Sequence, residues 1–266
     1  MHLRSIHAET RIPVLQDLIR NNPLGILTTA LKNPLYPLLQ SSHIPFIIDV
    51  TNTSTDNEAG PLGTLRGHLA RANPQAKALM DALAAQQTET GQSGAIELPD
   101  EVLVLFTAPE SHYVTPNFYT ETKPASDKVV PTWNYAAVQV YGKVRVFSDS
   151  KGEETGVFLQ RAVEDLTDLC ERGIMGHGDE EEGCGRAWKV SDAPEKYVEL
   201  MKKGIIGVEI RIERLEGKFK MSQEMGKGDR EGVIKGFGAM ESDVAKGVSR
   251  LVKERGELKD KAKSSI

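Results

Sequence analysis

Cysteine is nearly absent from these 266 residues, with only Cys170 and Cys184. Two are too few for a disulfide framework, so a core must hold the fold, and a reducing compartment, by default the cytoplasm, is the expected address. Long apolar runs are also missing. No stretch approaches the ~20 uninterrupted apolar residues of a membrane-crossing helix, and the first eleven residues carry too many charged and polar groups for a secretory signal. The expectation is a soluble chain with no membrane partner. Positive charge is in short supply: 33 Lys and Arg stand against 38 Asp and Glu, net -5. That argues against a protein whose main work is wrapping nucleic acid, which needs a basic surface.

Common catalytic signatures are missing too. There is no phosphate-cradling glycine loop ending in Lys-Ser/Thr, no nucleophile elbow and no His-Glu-x-x-His. Gly236-Phe237-Gly238 has Glu241 where the third glycine of a dinucleotide fingerprint would stand, and no clear strand precedes it. Cys170, His177 and Cys184 are spaced with six residues between neighbours, beside the acidic run 179–182. Structural zinc uses closely spaced ligand pairs, so the segment reads as a solvated loop and no metal is expected.

What the chain does have is 39% hydrophobic residues, enough to close a sizeable core. Apolar spacing predicts helices over 13–21, 75–85, 154–172, 193–203 and 240–261. Strands are expected over 24–30, 42–49, 63–70, 101–107, 132–147 and 204–215, with Pro45 placing the second at an edge or bulge. Residues 49–63 and 86–94 read as loops, and 216–223 as a turn. Short strands with few intervening helices favour an antiparallel barrel with appended helices, mainly β or α+β, over a doubly wound sheet. The barrel is expected over 1–238, with 239–266 as an amphipathic helix and tail. Residues 211–266 hold 14 Lys and Arg against 10 Asp and Glu, while the rest is acidic. That balance is compatible with a weak polyanion contact, but lysine-rich solvated helix ends give the same count and are the favoured reading, and tight DNA binding is not expected.

Three clusters concentrate polar groups beside glycine or proline. In 67–74, His68, Arg71 and Asn73 surround the start of a helix opened by Pro74, an arrangement that suits a phosphate as well as an ordinary Asn cap. In 130–135, Thr132, Trp133, Asn134 and Tyr135 offer two aromatic faces around an amide, which suits a flat heteroaromatic ring, although aromatics in strands are more often core. In 216–223, Lys218, Lys220 and Gln223 can reach outward from what is otherwise a basic turn. His112 and Tyr113 lie between the clusters, facing a pocket or shaping a hairpin.

Together with Ser42-His43-Ile44-Pro45-Phe46 and 112–116, these segments resemble, in order, the PaiB-type FMN-binding family described as negative transcriptional regulators. The resemblance spans about 13–236, with Glu110 and Met221 departing from the usual glycine and leucine and with longer loops at 49–63, 86–94 and 177–185. It implies an FMN-binding split barrel, a homodimer, and flavin sites at the subunit interface. The phosphate is then expected near His68, Arg71 and Asn73, and the ring system against His43, Ile44 and Pro45 and near Thr132, Trp133, Asn134 and Tyr135. Lys218 and Gln223 would come from the partner subunit. Three functions compete: a flavin-dependent oxidoreductase of unread substrate, a flavin-holding regulator, and a haem-handling split barrel using His43, His68 or His112.

Overall fold

The computed structural model describes residues 1–50, 61–178 and 185–264. Most of the loops expected at 49–63 and 177–185, the acidic run 179–182 and Cys184 lie outside the described residues. The chain begins β1 (Ala8–Glu9), α1 (Ile12–Asn21), β2 (Leu24–Ala30), β3 (Leu39–Asp49), β4 (Thr64–Ala70), α2 (Pro74–Thr90) and β5 (Glu97–Thr107). It continues β6 (His112–Val114), α3 (Thr122–Ser126), β7 (Thr132–Phe147), α4 (Glu153–Asp168) and α5 (Glu195–Lys203), and ends β8 (Ile205–Lys220), α6 (Lys227–Gly238) and α7 (Asp243–Ser264). Met1–Leu18, Thr107–Gln139 and Glu216–Ile266 group into one compact unit, the terminal unit. Ile19–Phe106 and Val140–Leu215 form the other, the barrel unit.

Six strands in the order β8-β4-β3-β2-β5-β7, with β7 bonded in turn to β8, close an antiparallel barrel. The expected fold class is therefore the observed one. Alternation does the building: Ile44, Phe46 and Ile48 of β3 and Val102, Val104 and Phe106 of β5 are buried while their neighbours are not. Phe46 and Phe106 meet edge to face at 6.1 Å, each ring contributing roughly 2–3 kcal/mol by burial. Gly25 and Gly67 make room for them, since a Cβ at either would stand 2.7 and 2.9 Å from a Phe106 or Phe46 ring atom.

Pro45, expected at an edge or bulge, sits in a strand that has neighbours on both sides but not at the same residues. β3 pairs with β2 as far as Pro45 and with β4 from Phe46 onward. The missing N–H falls where the ladder changes partner, so it costs no hydrogen bond. The expected loop at 86–94 is helix as far as Thr90, where Gly91 closes α2 in the left-handed conformation (φ 69°). On the same unit, α4 lays Phe158 flat on Phe147 at 3.9 Å and widens at its end, where Met175 N–H bonds to Cys170 O.

In the terminal unit β1 pairs with β8 at Lys218 and Gly217, and β6 pairs with β7 at 132–134. Residues 216–220 continue the strand and are not the expected turn. Gly217 is there because Leu15 occupies the space of its missing side chain, 2.1 Å from a would-be Cβ. Helix α6 has no counterpart in the sequence reading, because its four glycines depress helix propensity. They serve packing instead: a Cβ at Gly232 would stand 2.0 Å from Phe118 O, and one at Gly236 would stand 2.4 Å from the Phe118 ring.

Candidate functional site

The expected site residues divide between the two units, and each group is built by its own strands. In the barrel unit, His43 and Pro45 share one face of β3 while Ile44 turns into the core, 4% exposed. β4 then delivers His68, Arg71 and Asn73 in sequence to the start of α2. Asn73 caps that helix, its Oδ1 accepting Gln75 N–H at 2.8 Å and its Nδ2 donating to Ser42 Oγ at 3.0 Å. Gln75 is buried, and its Nε2 lies 3.1 Å from Leu27 O, Thr29 Oγ1 and Gln40 O, which ties β2 and β3 to the helix end. Sequence reading gave no role to Ser42 or Gln75, whose partners lie 31 to 48 residues away.

Arg71 is held more tightly than its motif suggests. Its guanidinium donates to Ser148 O at 2.7 Å, Lys203 O at 3.2 Å and Ile205 O at 3.4 Å, and lies 3.3 Å from Met80 Sδ. Among the described residues, one of its five N–H groups is left over. His68 has the opposite character: its Nδ1 is buried with no hydrogen-bond partner among the described residues. Burial pushes the imidazole pKa down, so the ring is neutral at pH 7. An unsatisfied buried polar atom is a cost that a hydrogen-bonding ligand would relieve, and this one lies three residues before a helix-capping turn.

In the terminal unit, β7 sends Trp133 and Tyr135 to one face and Thr132 and Asn134 to the other. Trp133 is 56% exposed and meets Tyr113, its partner across β6, at 6.3 Å. Asn134 is fully buried and exchanges hydrogen bonds with Ser222, at 3.0 Å from its Nδ2, and Ser222 stands in the left-handed region (φ 59°). Lys218 lies 5.4 Å from the Tyr135 ring centroid and donates to His2 O at 3.0 Å. Gln223 braces its own turn, accepting Met221 N–H at 2.6 Å and donating to Phe219 O.

Lys220, outside the expected set, donates to Thr132 Oγ1 at 2.5 Å and Trp133 O at 2.9 Å. Burial lowers its pKa, with Glu224 at 3.7 Å opposing the shift. Burial pushes the Glu224 carboxyl up, but the His7 hydrogen bond at 2.9 Å, its own backbone N–H and Lys220 outweigh that and leave it below the usual range. His112 uses Nδ1 on Tyr113 O at 2.8 Å and sets its ring against Phe237.

Each group has its own chemistry: the start of α2 offers a capped helix end and an unspent imidazole nitrogen, which suit a phosphate, and the 132–135 segment offers exposed aromatics beside two ammonium groups, which suit a flat ring. Residues 1–214 match the family described as "Putative FMN-binding domain". An uncharacterised protein of Aspergillus fumigatus is 64% identical over 264 residues, covering 98% of this chain and 100% of that one. An uncharacterised protein of Emericella nidulans is 60% identical, with 98% and 100% covered. The protease synthase and sporulation protein PAI 2 of Bacillus subtilis is 24% identical over 258 residues, with 96% and 98% covered.

Proposed function

Because the chain belongs to the PaiB-like family of FMN-binding domains, we propose that it binds FMN and acts as a flavin-dependent oxidoreductase. The observation that carries the flavin reading is the turn between β4 and α2, with its unspent His68 nitrogen. A phosphate carrying ~2 negative charges is received there by His68, Asn73 and the remaining Arg71 N–H, helped by the partial positive charge of the α2 N-terminus. The ring system takes the His43–Pro45 face and the segment Thr132, Trp133, Asn134 and Tyr135. FMN, when bound, supplies the electron-carrying chemistry, and the protein supplies position and charge.

The reading includes a homodimer with the flavin at the subunit interface, where Lys218 enters together with Tyr135 of its own chain and Gln223, its amide spent on Met221 N–H and Phe219 O, shapes the turn behind them. Exposed leucines on the barrel unit support it: Leu35, Leu38 and Leu39 are all more than half exposed, which is unusual for a clustered apolar stretch left to water. A second reading, a flavin-holding regulator, draws on the basic balance of residues 211–266. The net charge of -5 ranks it behind the oxidoreductase.

The test is the absorbance spectrum of the purified protein, mass spectrometry of any released ligand, and titration of the apo form with FMN, FAD and haem. FMN is expected to bind more tightly than FAD, since the site ends at one phosphate and no glycine fingerprint awaits a pyrophosphate. Equal affinity, or binding of neither flavin, sinks the reading.

A further inference from the structure

A cleft of about 540 Å³ opens in the terminal unit between residues 5–11 and helix α7, and of its lining the flavin reading draws on Gln223 alone. Its floor is Arg255, only 7% exposed, with the guanidinium carbon 3.6 Å from the Phe219 ring centroid. Arg255 Nη1 donates to Glu9 Oε2 at 2.6 Å. That uses one of five N–H groups. No other acceptor among the described residues takes a hydrogen bond from it, its Nε is buried without a partner, and the exposed Glu254 carboxylate stays 3.8 Å away.

Glu9 cannot supply more. Its two oxygens already accept Arg11 N, Nε and Nη2 as well as Arg255 Nη1. One carboxylate is thus shared by two guanidinium groups, and Lys259 adds a third cation to the lining. His7, also at the wall, is engaged with Glu224. The remaining lining is mostly apolar, from Ile6, Ala8, Phe219, Leu258 and Ala262, with Ser5 and Gln223 as its polar members.

We propose that this cleft binds a small organic acid, its carboxylate received by Arg255 and its hydrocarbon body laid on Phe219 and Leu258. A buried guanidinium with most of its donors unspent is costly, and a planar carboxylate is the acceptor that its fork fits best. A mere clamp between Glu9 and α7 needs one N–H and no cleft. The volume falls in the range of small-molecule sites.

Octanoate is the probe, with octan-1-ol and inorganic phosphate as controls, titrated calorimetrically into the full chain at fixed ionic strength. Octanoate is expected to bind saturably at one site per chain, at least about tenfold more tightly than either control. Leu258→Glu places a negative charge at a partly exposed helix position, where the fold tolerates it, and is expected to weaken octanoate at least about tenfold. Arg255→Lys keeps the charge opposite Glu9 but loses the fork, and is expected to do the same. The proposal is overturned if octanoate does not bind, if octanol or phosphate binds as well, or if Leu258→Glu binds like the wild type.

Discussion

Glu9 accepts four N–H groups from two arginines, and although burial pushes its carboxyl up, the Arg11 and Arg255 bonds bring it down to about 2 from an ordinary 4.5. A carboxyl with a depressed folded pKa adds stability that is present above the unfolded value and is lost as pH falls toward the folded one. The window is therefore pH 4.5 down to about 2, with an upper bound of about 3 kcal/mol. Glu9→Gln is expected to lower the unfolding free energy at pH 7 and to flatten its fall across that window, as read by urea titrations at a series of pH values. Arg71 makes a separate prediction. Its guanidinium joins β4 to three backbone carbonyls, so Arg71→Ala is expected to cost about 1.5–3 kcal/mol of stability in the apo protein, with FMN affinity falling roughly ten- to a hundredfold besides. Denaturation without FMN and FMN titration of the folded variant read the two effects apart, and an unchanged dissociation constant moves the phosphate away from Arg71.

Among the elements, α6 is the one that propensity would not build. Gly228, Gly232 and Gly236 recur at four-residue spacing and let the helix close on Glu121 and Phe118. Its first turn is fixed by Asp229, which accepts the backbone N–H groups of Glu121 and Thr122 at 2.8 and 3.1 Å. Gly232→Ala is expected to cost at least about 1–3 kcal/mol, because a methyl 2.0 Å from a backbone oxygen cannot be absorbed by a side-chain rotation. Gly238→Ala, whose nearest neighbour is Ser249 Oγ at 3.5 Å, is the control and should be close to neutral. Thermal unfolding of the two variants decides it, and equal losses would refute the packing account.

For the molecule as a whole, charge sets the expectation. With a net charge of -5 and 14 Lys and Arg against 10 Asp and Glu in residues 211–266, any contact with DNA should be weak, insensitive to sequence and lost between low and physiological salt. Mobility-shift assays across salt test this, and tight sequence-selective binding at physiological salt would promote the regulator reading over the oxidoreductase. The homodimer is tested by light scattering, with Leu35→Glu and Leu39→Glu expected to shift the protein toward monomer if the exposed leucines are the paired surface. No helix among the described residues is long and apolar enough to cross a membrane.

The sequence by itself determined the antiparallel barrel and the family. Period-two burial along β3, β5 and β7 is written locally, one residue after another, and β7 has the predicted bounds of 132–147. The ordered motifs likewise needed no coordinates. What only the tertiary structure decided is where the donors of those motifs go. Arg71 reads as a free phosphate ligand until Ser148, Lys203 and Ile205 bring their carbonyls to it from 77 to 134 residues away, and Arg255 reads as a solvated helix charge until Phe219 and Glu9 bury it. Gly217 signals a turn in any local reading, and it is a strand residue because Leu15 fills its side-chain space. Local propensity and pattern are properties of neighbouring residues, whereas the satisfaction of a buried donor depends on acceptors that only the folded chain brings into range.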